Sequence, residues 1–131
     1  MRIVLDASAA IEIALDRAKG SHFAEVLQQA EEILAPDLMV CEVINAIWKY
    51  HEFENFDLSI CDDAIDLGLN LVDSLVPSSE LCREAFLLAR TARKPAYDMF
   101  YLALCRRADA TLLTLDNSLK KEALRQGIRV G

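Results

Sequence analysis

The sequence predicts an α/β fold: one domain over residues 1–131, with a short, mostly parallel β-sheet of four or five strands flanked by helices on both faces. Three observations predict it. Short β-branched and apolar runs alternate with segments of helical periodicity, and strands that follow one another in this way need crossover connections, which make them parallel. No repeat, low-complexity tract or long linker divides the chain. At 131 residues it is long enough to bury roughly two-thirds of its unfolded surface around one core.

Ile3-Val4-Leu5 opens the chain as a strand ending at Asp6, and Ala9, Ile11, Ile13, Ala14 and Leu15 follow as a short helix. Gly20 and Ser21 break the pattern before Phe23, Val26, Leu27 and Ala30 recur at helical spacing. Ile33-Leu34-Ala35 is too short to assign from periodicity. Pro36 closes it and suits the start of a helix running to Tyr50, whose apolar face is Met39, Val43, Ala46, Ile47 and Tyr50. Asp57, Leu58 and Ser59 open a further helix through Leu69, with Ile60, Ala64, Leu67 and Leu71 as its buried stripe. Leu71 to Val76, ended by Pro77, reads as a strand. Ser79 suits the cap of a helix over Leu81 to Thr91, and another helix runs from Ala96 to Ala108. Ala110 to Leu115 is the clearest strand. Ser118 to Gln126 is a polar-faced helix stopped by Gly127, and Ile128-Arg129-Val130 suits a last short strand.

The net charge of −7 argues against the diffuse basic field that drives non-specific nucleic-acid binding, so any such role has to be local. A composition of 53% hydrophobic and 27% charged residues is that of an ordinary folded domain. No apolar run approaches the ~18 residues of a membrane span, and Met1 to Asp6 is too short and too soon interrupted for a signal peptide. Cys41, Cys61, Cys82 and Cys105 form no CxxC pair, and neither His22 nor His51 stands at ligand spacing, which argues against zinc. Without a secretory signal, four thiols fit a reducing cytoplasm.

In an open parallel sheet, ligands bind beyond the carboxyl ends of the strands. Asp6 and Asp116 both end strands and so point to the same edge. Asp98 falls in the first turn of its helix, where the positive end of the dipole tolerates a carboxylate. Glu42 lies about 60° round its helix from Met39 and about 40° from Ala46, at the border of the apolar stripe. Taken singly, the three aspartates read equally well as helix caps and Glu42 as a solvated charge. Taken together they repel one another unless a hard cation with a preference for oxygen, Mg²⁺ or Mn²⁺, neutralises them. One or two such ions activate a water for phosphodiester hydrolysis. Ser8 and Thr114, each two residues from a strand-end aspartate, are candidate partners for those ligands, with capping and strand propensity as the alternative readings. Asn45, three residues after Glu42, falls on the same side of the helix.

These residues resemble the PIN-domain ribonucleases, and most closely the VapC-type toxins of toxin–antitoxin pairs. The resemblance spans the chain: Ile3-Val4-Leu5-Asp6-Ala7-Ser8, Glu42-Val43-Ile44-Asn45-Ala46, Tyr97-Asp98-Met99-Phe100-Tyr101-Leu102-Ala103-Leu104 and Leu112-Leu113-Thr114-Leu115-Asp116, in that order and spacing. It implies a PIN-like sheet with helices on both faces and an acidic quartet, here Asp6, Glu42, Asp98 and Asp116, that binds Mg²⁺ or Mn²⁺ and cuts RNA endonucleolytically. It further implies a homodimer and an inhibitory antitoxin, assembled into a larger complex. The chain departs from the family in having Asp109 where a turn glycine is frequent and Cys105 where alanine is frequent; aspartate tolerates a left-handed backbone, and a small thiol packs like alanine.

Arg90, Arg93 and Lys94 precede Asp98, while Lys120, Lys121 and Arg125 follow Asp116; both groups are candidates for holding RNA phosphates, with a solvated helix face as the bland reading. Trp48 and Tyr50 read as core or dimer-interface residues. An aspartyl-phosphate phosphatase also begins at a strand-end aspartate but wants a second acid where Ser8 stands. A receiver-type signalling module wants an acidic pair and a terminal strand lysine. A catalytically silent PIN-fold interaction domain would lack the intact quartet.

Overall fold

The computed structural model describes all residues from Met1 to Gly131. The chain runs β1 (Arg2–Leu5), α1 (Ala7–Ala14), α2 (Gly20–Gln28), β2 (Glu32–Pro36), α3 (Leu38–Glu54), α4 (Leu58–Asn70), β3 (Ser74–Val76), α5 (Ser78–Ala92), α6 (Ala96–Ala108), β4 (Thr111–Leu113) and α7 (Asn117–Arg125). Ile3, Val4 and Leu5 are wholly buried, as an apolar run without alternation must be when both faces of its strand are covered. All strand pairings are parallel, in the order β3-β2-β1-β4; Ile3 sits between Ile33 and Thr111, and Ala35 pairs with Leu75.

Strand order decides where the helices go. From β1 to β2 to β3 the chain steps one way across the sheet, then it returns over the sheet to β4 at the opposite edge. Right-handed crossovers therefore put α1 to α4 on one face and α5 and α6 on the other. The packing agrees: α1 lies against α2, α3 and α4, α5 lies against α6, and α6 rests on β1, β2 and β4. The reversal falls between β1 and β4, the place in an open parallel sheet beyond whose carboxyl ends ligands bind. Where α2 starts, it crosses α1 so closely that a Cβ on Gly20 would lie 2.6 Å from the Glu12 carbonyl oxygen, so no larger residue fits without backbone movement.

Four expectations about element bounds need correction. Ile33-Leu34-Ala35 belongs to β2, and Pro36 ends that strand, paired with Val76, while the helix starts two residues later. Leu71 caps α4, so β3 begins only at Ser74. Ser79 lies inside α5; Asp37 reaches across from the end of β2 to accept from the Ser78 amide at 3.0 Å and from the Ser78 hydroxyl. The C-terminal strand reduces to a single parallel bridge between Val130 and Leu112. Asp109 does adopt the left-handed conformation, at φ 51°, and Cys105 is buried.

On α7, Glu122 is almost wholly buried and accepts from Arg125 Nε at 2.9 Å, from Arg125 Nη2 at 2.5 Å and from Gln126 Nε2 at 2.9 Å. The Arg125 hydrogen bond holds its pKa below the ordinary 4.5. A depressed carboxyl contributes stability above its unfolded value and loses it as pH falls through the folded one. Glu122→Gln should therefore lower the melting temperature at pH 7 and flatten its decline below pH 4.5. Thermal melts from pH 3 to pH 7 check this, and parallel acid profiles for wild type and variant would refute it.

Candidate active site

Asp6 is placed by the sheet and held by hydroxyls. Its amide donates to the Leu113 carbonyl at 3.1 Å, extending the β1–β4 ladder by one residue. Its side chain caps α1: Oδ1 accepts from the Ala9 amide at 3.0 Å and from Ser8 Oγ at 2.7 Å, and Oδ2 accepts from Thr114 Oγ1. The two hydroxyls also accept from the β4 side, Ser8 Oγ from the Leu115 amide at 2.9 Å and Thr114 Oγ1 from the Asp116 amide at 3.0 Å. Each hydroxyl has one proton and directs it at Asp6. Ser8 and Thr114 thus stitch the two strand ends together around one carboxylate.

Asp116 is exposed and caps α7 through Oδ1, which accepts from the Ser118 and Leu119 amides at 2.9 and 3.2 Å. The capping reading is therefore true of Asp6 and Asp116, and in Asp116 it occupies only one oxygen. Asp98 is different: it is half-buried in the first turn of α6, it is not the cap, and no protein group hydrogen-bonds its carboxylate. Glu42 projects from α3, half-buried, with Oε1 accepting from the Tyr101 phenol at 2.5 Å.

The four acids are close enough to feel one another's charge. Burial is the largest cause of a raised pKa at Asp6, Glu42 and Asp98 alike. Like charge adds to it: Asp116 acts on Asp6 and on Asp98, while Asp6 and Asp98 both act on Glu42. Opposing these, Thr114, Ser8 and the Ala9 amide favour ionised Asp6, Tyr101 favours ionised Glu42, and Lys94 favours ionised Asp98. A carboxylate given three hydrogen-bond donors while buried among other acids is arranged to carry charge against a cost.

Both oxygens of Asp98, Oδ2 of Asp116 and Oε2 of Glu42 have no protein partner. In donor chemistry this all-oxygen set suits a hard divalent cation. In geometry the four stand apart: no three His, Cys, Asp or Glu side chains converge at ligand distance on one point. None of the molecule's cavities is lined by the quartet.

Other expected residues divide. Asn45 is exposed and hydrogen-bonds nothing at the site. Lys94 is half-buried, its Nζ donates to Ser118 Oγ at 3.3 Å, and it has no ion-pair partner; Arg90, Arg93, Lys120 and Lys121 are also free of ion pairs. Arg125 is committed to Glu122. Trp48 is half exposed and stacks edge-on with Phe53, so it is not core, whereas Tyr50 packs against Phe56 beneath Arg17. Sequence reasoning missed Tyr101. Its position three residues after Asp98 on one helix was the available signal.

The PIN domain family model matches residues 3–123. Ribonuclease VapC3 of Pyrobaculum aerophilum is 27% identical over 124 residues, covering 93% of this chain and 95% of that protein. In the crystal structure of PAE2754 from Pyrobaculum aerophilum, 87% of the chain superposes on 93% of this one with a TM-score of 0.72 at 22% identity, a likeness of fold. With that match over nearly its whole length, the chain belongs to the PIN domain family.

Proposed function

We propose that this protein is a metal-dependent endoribonuclease, the toxin half of a toxin–antitoxin pair, that hydrolyses RNA at the edge formed by Asp6, Glu42, Asp98 and Asp116. The observation that carries the reading is the mutual charge of four acids beyond β1 and β4, three of them with raised pKa values. Such an arrangement is costly in the absence of a countercharge. Mg²⁺ or Mn²⁺, one ion or two, would be held by the free oxygens of Asp98, Asp116 and Glu42 together with Asp6, and would supply positive charge to the phosphate and acidity to a coordinated water.

The chain's own residues do the positioning. Ser8, Thr114 and the Ala9 amide fix the Asp6 rotamer, so its carboxylate needs no rearrangement. Lys94, hydrogen-bonded to Ser118 and free of ion pairs, would bind a phosphate oxygen beside Asp98. Arg90, Arg93, Lys120 and Lys121 extend that local positive charge along the RNA on an otherwise acidic protein. The relative's name, a ribonuclease of the VapC type, supports the RNA substrate and the antitoxin partner.

A candidate partner surface lies on α3 and α4, where Ile44, Trp48 and Leu58 are about half exposed or more and line a concavity with Ile47, Cys61 and Ile65. We read it as covered by a second copy in a homodimer or by the antitoxin in the larger complex. No helix is long and apolar enough to cross a membrane, and all four cysteines are free, which fits work in the cytoplasm. No observation favours the phosphatase or receiver readings, since Ser8 is spent on Asp6.

Hydrolysis by an activated water leaves 5′-phosphate and 3′-hydroxyl ends, without using the RNA 2′-hydroxyl. End-mapping of products from structured RNA in Mg²⁺ or Mn²⁺ tests this. Products ending in 2′,3′-cyclic phosphate, or cleavage that persists in excess EDTA, would overturn the proposal.

A further inference from the structure

Glu42 stands where its charge is pushed away. The charges of Asp6 and Asp98 both oppose its ionisation. A glutamate on an exposed helix face has three rotatable bonds and ordinarily swings its carboxylate to water. Here it does not, because the phenol of Tyr101 donates to Oε1 at 2.5 Å across the gap between α6 and α3.

Tyr101 is an unusual residue to find at that point. It is 2% exposed, the largest of the fully buried side chains, so its ring is fixed by packing and its hydroxyl has no freedom to follow a moving partner. The phenol carries no formal charge, and its own pKa is driven upward by burial and then by the Glu42 charge, so it remains a donor throughout the neutral range. A rigid neutral donor holds one carboxylate oxygen and leaves the other, Oε2, without a protein partner. From the Tyr101 side the same helix turn delivers Asp98, three residues earlier, so α6 positions two members of the quartet at once, one by its own side chain and one through the phenol.

We propose that Tyr101 is the positioning residue of the metal site: by fixing the Glu42 carboxylate through Oε1 it leaves Oε2 free to be presented to the ion. The inference rests on the metal reading of the quartet given above. It assigns Tyr101 no contact with RNA or metal and no proton transfer.

The test is Mn²⁺ binding by isothermal titration calorimetry to metal-free wild type, Tyr101→Phe, Glu42→Ala and the double variant. Loss of a partner that orients a ligand weakens metal binding about 10-fold or more. Tyr101→Phe is expected to raise the Mn²⁺ dissociation constant by about that factor and to shift the Mn²⁺ concentration for half-maximal RNA cleavage in parallel, with cleavage recovering at saturating Mn²⁺. In the Glu42→Ala background the same substitution should change Mn²⁺ affinity less than twofold, because the residue through which Tyr101 acts is gone; this readout separates positioning from a general packing defect. Wild-type binding with an unchanged Tyr101→Phe affinity overturns the proposal alone, as does an undiminished effect in the Glu42→Ala background. Wild type that binds no Mn²⁺ overturns the metal reading and this inference with it.

Discussion

Asp98→Asn should lower RNA cleavage by about 100-fold or more while leaving the protein folded and no less stable. Its carboxylate accepts no hydrogen bond from the protein, and Pro95 rather than Asp98 stands at the helix cap, so only the helix dipole and Lys94 favour its charge. Burial and the Asp116 charge raise its pKa, so the ionised form is held at a cost that the amide removes. Both unpartnered oxygens of Asp98 are the freest donors in the quartet, and replacing one by an amide nitrogen takes a negative ligand from the proposed ion. A single group that stabilises charge in a hydrolytic transition state is worth about 10²–10³ in rate, or about 3–4 kcal/mol. Cleavage by Asp98→Asn should fall at least 100-fold, by roughly the lower of those values. Single-turnover assays in Mg²⁺ and Mn²⁺, with thermal melts beside them, decide the matter. Wild-type cleavage by a well-folded variant would remove Asp98 from the site. Asp6→Ala is a poorer test, because it also deletes the α1 cap and two hydroxyl contacts.

How far the sequence carried the site depends on which physical signal each residue left. Asp6 and Asp116 were readable because each follows a short apolar run that reads as a strand, and parallel strands align their carboxyl ends, although β4 stops at Leu113 and Asp116 is the cap of α7. Glu42 was readable as a helix border position, though only the fold tells which acids it faces. Tyr101 was not, since a tyrosine within Met99, Leu102 and Ala103 looks like core, and it is core; only its hydroxyl is functional in this reading. Asn45 shows the converse limit. Helical spacing put it near Glu42, but one turn later on α3 the surface has already curved into solvent.

The fold was legible in element type and less so in bounds. β2 could not be assigned because five residues between two sheet neighbours, the last three of them buried, show no alternation, and Pro36 satisfies the end of a strand as well as the start of a helix. At Leu71 and Val72 the apolar periodicity of α4 runs straight on toward β3, and the sequence has no breaker there to mark the end of the helix. The Glu122–Arg125 pair, by contrast, was present in the sequence as an i, i+3 spacing, and it removes Arg125 from the candidates for RNA.

Thr114→Val should cost about 2–3 kcal/mol of stability and also depress cleavage, because one hydroxyl serves both strand ends. Valine has nearly the shape of threonine, so the wholly buried position suffers little steric change. What it loses is a donor to Asp6 Oδ2 and an acceptor for the Asp116 amide. Each group left without a partner in a buried setting carries its desolvation penalty, which is larger than the net worth of the bond itself. The Thr114 bond is also the strongest influence holding the Asp6 pKa down against burial. Without it Asp6 binds its proton more tightly, and the acid side of the cleavage profile should move to higher pH. Denaturant melts measure the first effect and a pH–rate profile the second. Thr114→Ser retains the hydroxyl and should keep the wild-type pH profile even where the lost methyl lowers stability. If Thr114→Val and Thr114→Ser give the same pH profile, the hydroxyl is a strand-end staple only and Asp6 is tuned by its other donors.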